Sequence, residues 1–340
     1  MKPTALAVVV VLLLGSSVAA YGGPLAPNDP AYPSEWWQAA IGLPDAWGVT
    51  TGSPSMTLAI LDAGVMANTP DLQGRVLAPI AASGLTPLDG SAYRHGTWTA
   101  SVAAGGVNNG VGSAGVGNFS ILPVTVTDSN DIATLASVAA GIRAAADAGA
   151  RVINISMTAS SYTTLNQAAA YARSKGALVF MPSGNSNARE TLSGAASIIF
   201  VSGTQEDGAR WDNGSGLSGS TWGPLVDLAA PAKSLLVAEG PDGYTTLDGT
   251  SFSSAIAAGA AALVWSANPN LTADQVQSIL YSTATDLGTA GWDEVFGNGQ
   301  INLGAAVAAT EAVAVPEPAT LALMVLGGAT MLIRRRRHNV

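Results

Sequence analysis

Largely apolar runs of about five residues, without polar alternation, punctuate the chain. Thr57–Leu61 (TLAIL), Arg151–Ile155 (RVINI), Ala177–Met181 (ALVFM) and Ile198–Ser202 (IIFVS) read as strands buried on both faces. Val226–Ala229 and Leu235–Ala238 predict two shorter ones. Between these runs the apolar period lengthens to that of a helix. Leu135–Ala148 is Ala-rich and helical, and Thr164–Lys175 is helical with Gly176 as its stop. Phe252–Trp265 is apolar all round, which predicts a buried helix. Thr272–Thr285 is amphipathic, and Thr272 and Gln275 have the spacing of a capping box. Strands alternating with helices predict an α/β fold with a central, mainly parallel sheet and helices on both faces.

Both ends depart from this pattern. Lys2, the apolar stretch Ala5–Leu14 and the small residues Val18-Ala19-Ala20 make residues 1–20 an export signal, to be removed by a signal peptidase. Residues 21–34 are rich in Pro and Gly and predict an extended lead-in, too short for a folded pro-domain, with compact structure starting near Glu35. At the other end, Val315-Pro316-Glu317-Pro318 stops any helix, Ala319–Ile333 is an apolar run of fifteen residues, and Arg334–Arg337 is a basic block. The run falls short of the ~17–25 residues of a stable span, and the arginines favour the cytoplasmic side. Residues 314–340 thus resemble the PEP-CTERM sorting tail of Gram-negative bacteria. That resemblance implies a body held temporarily at the inner membrane, then cut near the Pro-Glu-Pro by an exosortase-type enzyme and left in the envelope or outside the cell. A plain membrane anchor is the alternative.

Composition narrows the function. With 340 residues, 48% of them apolar and 11% charged, the chain is not disordered. The absence of Cys excludes a disulfide scaffold, a thiolate metal site and a cysteine nucleophile. Without residues 1–20 and 316–340 the chain holds 9 basic and 22 acidic side chains, a balance of -13, which argues against nucleic-acid partners. No cofactor or metal is expected; the acidic residues allow a structural calcium ion, but no dense loop of acidic ligands is recognisable in which to place one.

There are two histidines, and His338 lies beyond the Arg block. Any imidazole chemistry in the body therefore falls to His95, which stands at the start of a small-residue helical run. Asp62 follows the strand TLAIL and precedes Ala63-Gly64, where a carboxylate at a parallel strand's C-terminal end meets α/β active sites. Ser251 stands just before the buried helix, with its N–H at a helix start. Asn185 follows the strand ALVFM. Each alone reads equally well as a turn or structural residue.

Taken together, in this order, they resemble the subtilisin (subtilase) family of serine proteases. The resemblance rests on Ile60-Leu61-Asp62-Ala63-Gly64-Val65, His95-Gly96-Thr97, Val152–Met157, Ser183-Gly184-Asn185 and Gly249-Thr250-Ser251-Phe252-Ser253, and runs from about Glu35 to Ala309. It implies a subtilisin-like three-layer fold over residues 35–310. It also implies a monomeric endopeptidase acting on proteins or peptides, with Asp62, His95 and Ser251 as triad. Asn185 and the Ser251 N–H would form the oxyanion hole, and Ser156, Met157, Thr158 and Gly184 the substrate groove. Thr158-Ala159 stand where the family usually has Gly-Gly, Trp98-Thr99 where it has His-Val, Phe252 where it has Met and Ala255 where it has Pro. A catalytically silent surface or matrix-binding protein of the same fold is the alternative; retention of all four key residue types favours the enzyme.

Overall fold

The computed structural model describes residues 23–311. The proposed signal peptide and sorting tail lie outside the described residues. Seven strands form one sheet: β1 (Thr57–Asp62), β2 (Ile80–Ala81), β3 (Ser120–Thr125), β4 (Val152–Ile155), β5 (Leu178–Pro182), β6 (Ile198–Thr204) and β7 (Leu228–Pro231). Their order is β2-β3-β1-β4-β5-β6-β7, and all their pairings are parallel. Two further strands, β8 (Leu235–Ala238) and β9 (Tyr244–Leu247), form a separate antiparallel hairpin.

Helices cover both faces, because the strands direct apolar side chains both ways. Leu58 and Ile60 face a core built with α1 (Trp36–Ala40), α2 (Leu43–Trp47), α3 (His95–Ala104), α6 (Thr250–Ala267), α7 (Ala273–Ser282) and α8 (Leu303–Ala309). Ala59 and Leu61 face a second core built with α4 (Leu135–Asp147) and α5 (Thr163–Ser174). The apolar helix α6 is almost wholly buried along its length. Thr272 and Gln275 close the capping box of α7.

Three features differ from the sequence reading. Strand β3 pairs with β1 on one side and β2 on the other yet carries Pro123, which disqualifies most interior strands. Here Ile121 and Thr125 direct their backbone groups to the outer segment at 75–82, so Pro123, in the same orientation, places its missing N–H toward the thin edge and not toward β1. The strand expected at Val226–Ala229 sits two residues later, because its ladder with β6 starts at Leu228↔Val201. Packed structure also begins before Glu35: Leu25 N–H donates to the Pro44 carbonyl at 2.9 Å, and Ala31 N–H to that of Gly112 at 2.9 Å. The Asp29 carboxylate, 2% exposed, accepts the N–H groups of Asn108 and Asn109 at 2.7 and 3.2 Å.

Candidate active site

The chain leaves β1 toward β2 and β3 on one side, then crosses to β4–β7 on the other. The order therefore reverses at β1, the kind of switch point beside whose C-terminal strand ends the sites of open α/β sheets form. Asp62 is the last residue of β1 and 2% exposed. Its Oδ1 accepts Ala63 N–H at 2.8 Å, and its Oδ2 lies 2.7 Å from His95 Nδ1. A carboxylate only accepts, so Nδ1 carries the hydrogen and Nε2 of the neutral ring keeps its lone pair.

This contact needs helix α3 to lie directly on the strand end. A Cβ at Gly96 would fall 2.2 Å from the Gly64 carbonyl oxygen and 2.8 Å from Asp62 Cβ. Any larger residue at Gly96 would push His95 off Asp62. Burial alone would lower the His95 pKa; the Asp62 charge and hydrogen bond, with help from Asp131, outweigh it and hold the pKa above its ordinary value. Trp98 meets the His95 ring edge-on, with centroids 6.3 Å apart.

Ser251 is the second residue of α6 and half-buried over the end of β4. Its hydroxyl donates to the Ser156 carbonyl at 3.2 Å, and Ser156 Oγ returns a bond to the Ser251 carbonyl at 2.9 Å. Beneath them Asn154 Nδ2 donates to Ser156 Oγ at 2.8 Å, and Ser254 Oγ to Asn154 Oδ1 at 2.7 Å. The structure thus brings Asp62 and His95 together but turns the Ser251 hydroxyl away: among the described residues no hydrogen bond joins it to His95. Such catalytic contacts commonly tighten only with substrate bound. Ser251 N–H, in the first helical turn, has no intrahelical acceptor.

Asn185 follows β5 and is exposed. Its Oδ1 accepts both the N–H and the hydroxyl of Thr250, at 2.9 and 2.6 Å. That fixes which end of the amide is which, and leaves Nδ2 without a protein acceptor among the described residues. Gly184, at φ +114°, brings the backbone close: a Cβ there would lie 2.9 Å from Thr221 Oγ1 and 3.3 Å from Thr158 Cγ2. Ser156 is buried, while Met157 and Thr158 rise to the surface beside a cavity of about 220 Å³ lined by Leu135, Val138, Met157, Leu165 and Met181. Larger hollows lie elsewhere, at Trp36 and Lys233 and at Arg173 and Tyr281; neither contains the His95–Asp62 pair or Ser251.

Asn154, Ser254 and Thr250 belong to the site but were not singled out in the sequence. Their signal is weak: polar side chains in otherwise apolar buried elements. Among the described residues, no group of three or more His, Asp or Glu is gathered as for a metal ion.

Residues 53–299 match the model of the subtilase family, and residues 314–337 match the PEP-CTERM protein-sorting motif. Thermitase of Thermoactinomyces vulgaris is 34% identical over 283 residues, 81% of this chain and 97% of thermitase. The halolysin-like extracellular serine protease Nep of Natrialba magadii is 32% identical over 293 residues, 83% of this chain and 52% of Nep. Among solved structures, a protease from Pseudoalteromonas arctica matches with a TM-score of 0.72 at 27% identity, covering 84% of this chain and 100% of that one.

Proposed function

The chain belongs to the subtilase family of serine proteases, and on that premise we propose that Ser251, His95 and Asp62 cleave peptide bonds through an acyl-enzyme. The observation that carries this reading is the 2.7 Å contact between Asp62 Oδ2 and His95 Nδ1, which leaves Nε2 free to take a proton. Substrate rotates the Ser251 hydroxyl from Ser156 onto Nε2. His95 takes the Ser251 proton as Oγ adds to the scissile carbonyl carbon. The oxyanion is held by Asn185 Nδ2, which Thr250 orients, and by Ser251 N–H. His95 then gives its proton to the leaving amine as the C–N bond breaks. Water repeats the sequence on the ester, releasing the acid and restoring Ser251. Asp62 stabilises the imidazolium throughout.

The substrate is an extended protein or peptide segment lying along Ser156–Ala159 and across Gly184. The cavity beside Met157 takes an apolar side chain of that segment, since Leu135, Val138, Ile155, Leu165 and Met181 line it. The sorting tail supports export with transient anchoring in the inner membrane, where an exosortase-type enzyme cuts near Val315–Pro318 and leaves the body in a Gram-negative envelope or outside the cell. The protease acts as a monomer, without a cofactor. Digestion of a random peptide library by the purified protein tests this reading. Cleavage should be endoproteolytic, with apolar side chains enriched at one position before the cut. Absence of cleavage, or exopeptidase trimming alone, would overturn it.

A further inference from the structure

The residue before His95 is an arginine whose guanidinium faces neither the Asp62–His95 pair nor Ser251. Arg94 Nη1 donates to the Glu239 carboxylate at 2.7 Å and to the Glu239 carbonyl at 2.9 Å, and Nη2 donates to the Asp242 carboxylate at 2.8 Å. Glu239 and Asp242 lie in the turn between β8 and β9, closed by Glu239 N–H donating to the Gly243 carbonyl at 2.8 Å. The same hairpin touches α3 a second time, through Ala238 N–H donating to Ser101 Oγ at 3.1 Å. Beyond the hairpin, β9 ends at Leu247, and only Asp248, Gly249 and Thr250 separate it from Ser251. One short piece of chain therefore grips the helix that begins with His95 and leads straight into the helix turn that carries Ser251.

We propose that Arg94 is a positioning residue for peptide hydrolysis: by tying the first turn of α3 to the β8–β9 turn, it sets the approach of His95 to Ser251. The proposal rests on the Ser251–His95 reading above. Its energetic logic is leverage. Partly exposed ion pairs contribute little to global stability, so the three contacts of Arg94 are weakly placed as a fold determinant. A displacement of about 1 Å between reacting groups can nonetheless cost roughly 100-fold in rate. The contacts lock a spacing more than they hold a fold. Two carboxylates on one guanidinium also make the geometry specific to Arg, since a Lys ammonium cannot span both in a fixed fork.

The test uses the full chain and four variants: Arg94→Ala, Arg94→Lys, Glu239→Gln with Asp242→Asn, and these two combined with Arg94→Ala. We expect Arg94→Ala to lower kcat on a chromogenic peptide about tenfold, within the range a sub-ångström misplacement allows, with KM changed less than about twofold. The rate of Ser251 acylation by a fluorophosphonate should fall by a similar factor, with Tm little changed. Arg94→Lys should restore part of the rate. The Glu239/Asp242 double variant should lose as much as Arg94→Ala, and the triple variant no more, because all act through one contact set. A change in Tm without loss of kcat would make the cluster structural only and overturn the proposal. A rise in KM alone would make Arg94 a substrate contact, and additive losses would break the link to the hairpin. Failure of the wild-type protein to react at Ser251 would instead sink the reading on which the proposal rests, a result separable from any of these.

Discussion

On the side of the proposed base, His95 is held by a charge-assisted contact to Asp62, backed by the Arg94 cluster at the surface. On the side of the proposed nucleophile, Ser251 stands on the neutral chain Ser254–Asn154–Ser156, whose members are all buried. The first arrangement depends on ionisation, so pH tunes it. The second contains no titrating group, so it stays fixed across pH but cannot lose a member without leaving a buried donor or acceptor unpaired. Damage to the base side should therefore appear mainly in turnover, and damage beneath the nucleophile in stability as well.

The largest expected effect breaks the base side alone. Asp62→Asn keeps the shape but presents an amide that can donate to Nδ1, favouring the wrong tautomer. Turnover should fall by roughly 10⁴. Steady-state kinetics check this, and a loss below tenfold would detach Asp62 from the proposed role. Asn185→Ala removes the proposed oxyanion donor and should lower kcat by roughly 10²–10³ with KM nearly unchanged. An effect confined to KM would make Asn185 a substrate contact.

Asn154→Ala sharpens the contrast from the other side. It strands the Ser254 hydroxyl in the core and removes the donor to Ser156 Oγ, which keeps its own bond to the Ser251 carbonyl, and should cost about 1–3 kcal/mol. Urea denaturation in a Ser251→Ala background, which avoids self-digestion, measures it. Stability equal to the parent would show that the chain beneath Ser251 is dispensable.

The smallest effect is a pair of opposite pH trends. Activity should fall as pH drops through the His95 pKa, which lies above its ordinary value once Asp62 outweighs burial. Stability should run the other way. Desolvation raises Glu35 to about 7, and Asp71 and Asp227 to about 6 each. The folded chain then binds more protons than the unfolded one between about pH 4 and 7, so these groups make stability fall as pH rises through that window. The raised His95 adds the same sign at higher pH. Thermal unfolding of Ser251→Ala should give a higher Tm near pH 5 than near pH 8, and the reverse order would contradict these burial effects.

The sheet was legible because its central strands are buried on both faces and read as unbroken apolar runs. Asp62, His95, Asn185 and Ser251 could be singled out because each lies within two residues of a Gly where an apolar run ends or a helix begins. Strand Ser120–Thr125 escaped because Pro123 breaks its pattern, and only the lopsided pairing at the sheet edge makes that proline tolerable. Asn154 and Ser254 are 100 residues apart in sequence, and Arg94 and Glu239 are 145 apart. No local pattern encodes such pairings; they exist once α6 lies on the sheet and the β8–β9 hairpin folds back on α3.

The central claim is that His95 and Asp62 activate Ser251 as a nucleophile. Reaction of the full-length protein with a fluorophosphonate, followed by peptide mapping, tests it most directly. The account predicts a single covalent adduct on Ser251, formed faster as pH rises through the His95 pKa, and no adduct in Ser251→Ala. An adduct elsewhere, or cleavage activity surviving in Ser251→Ala, would contradict it.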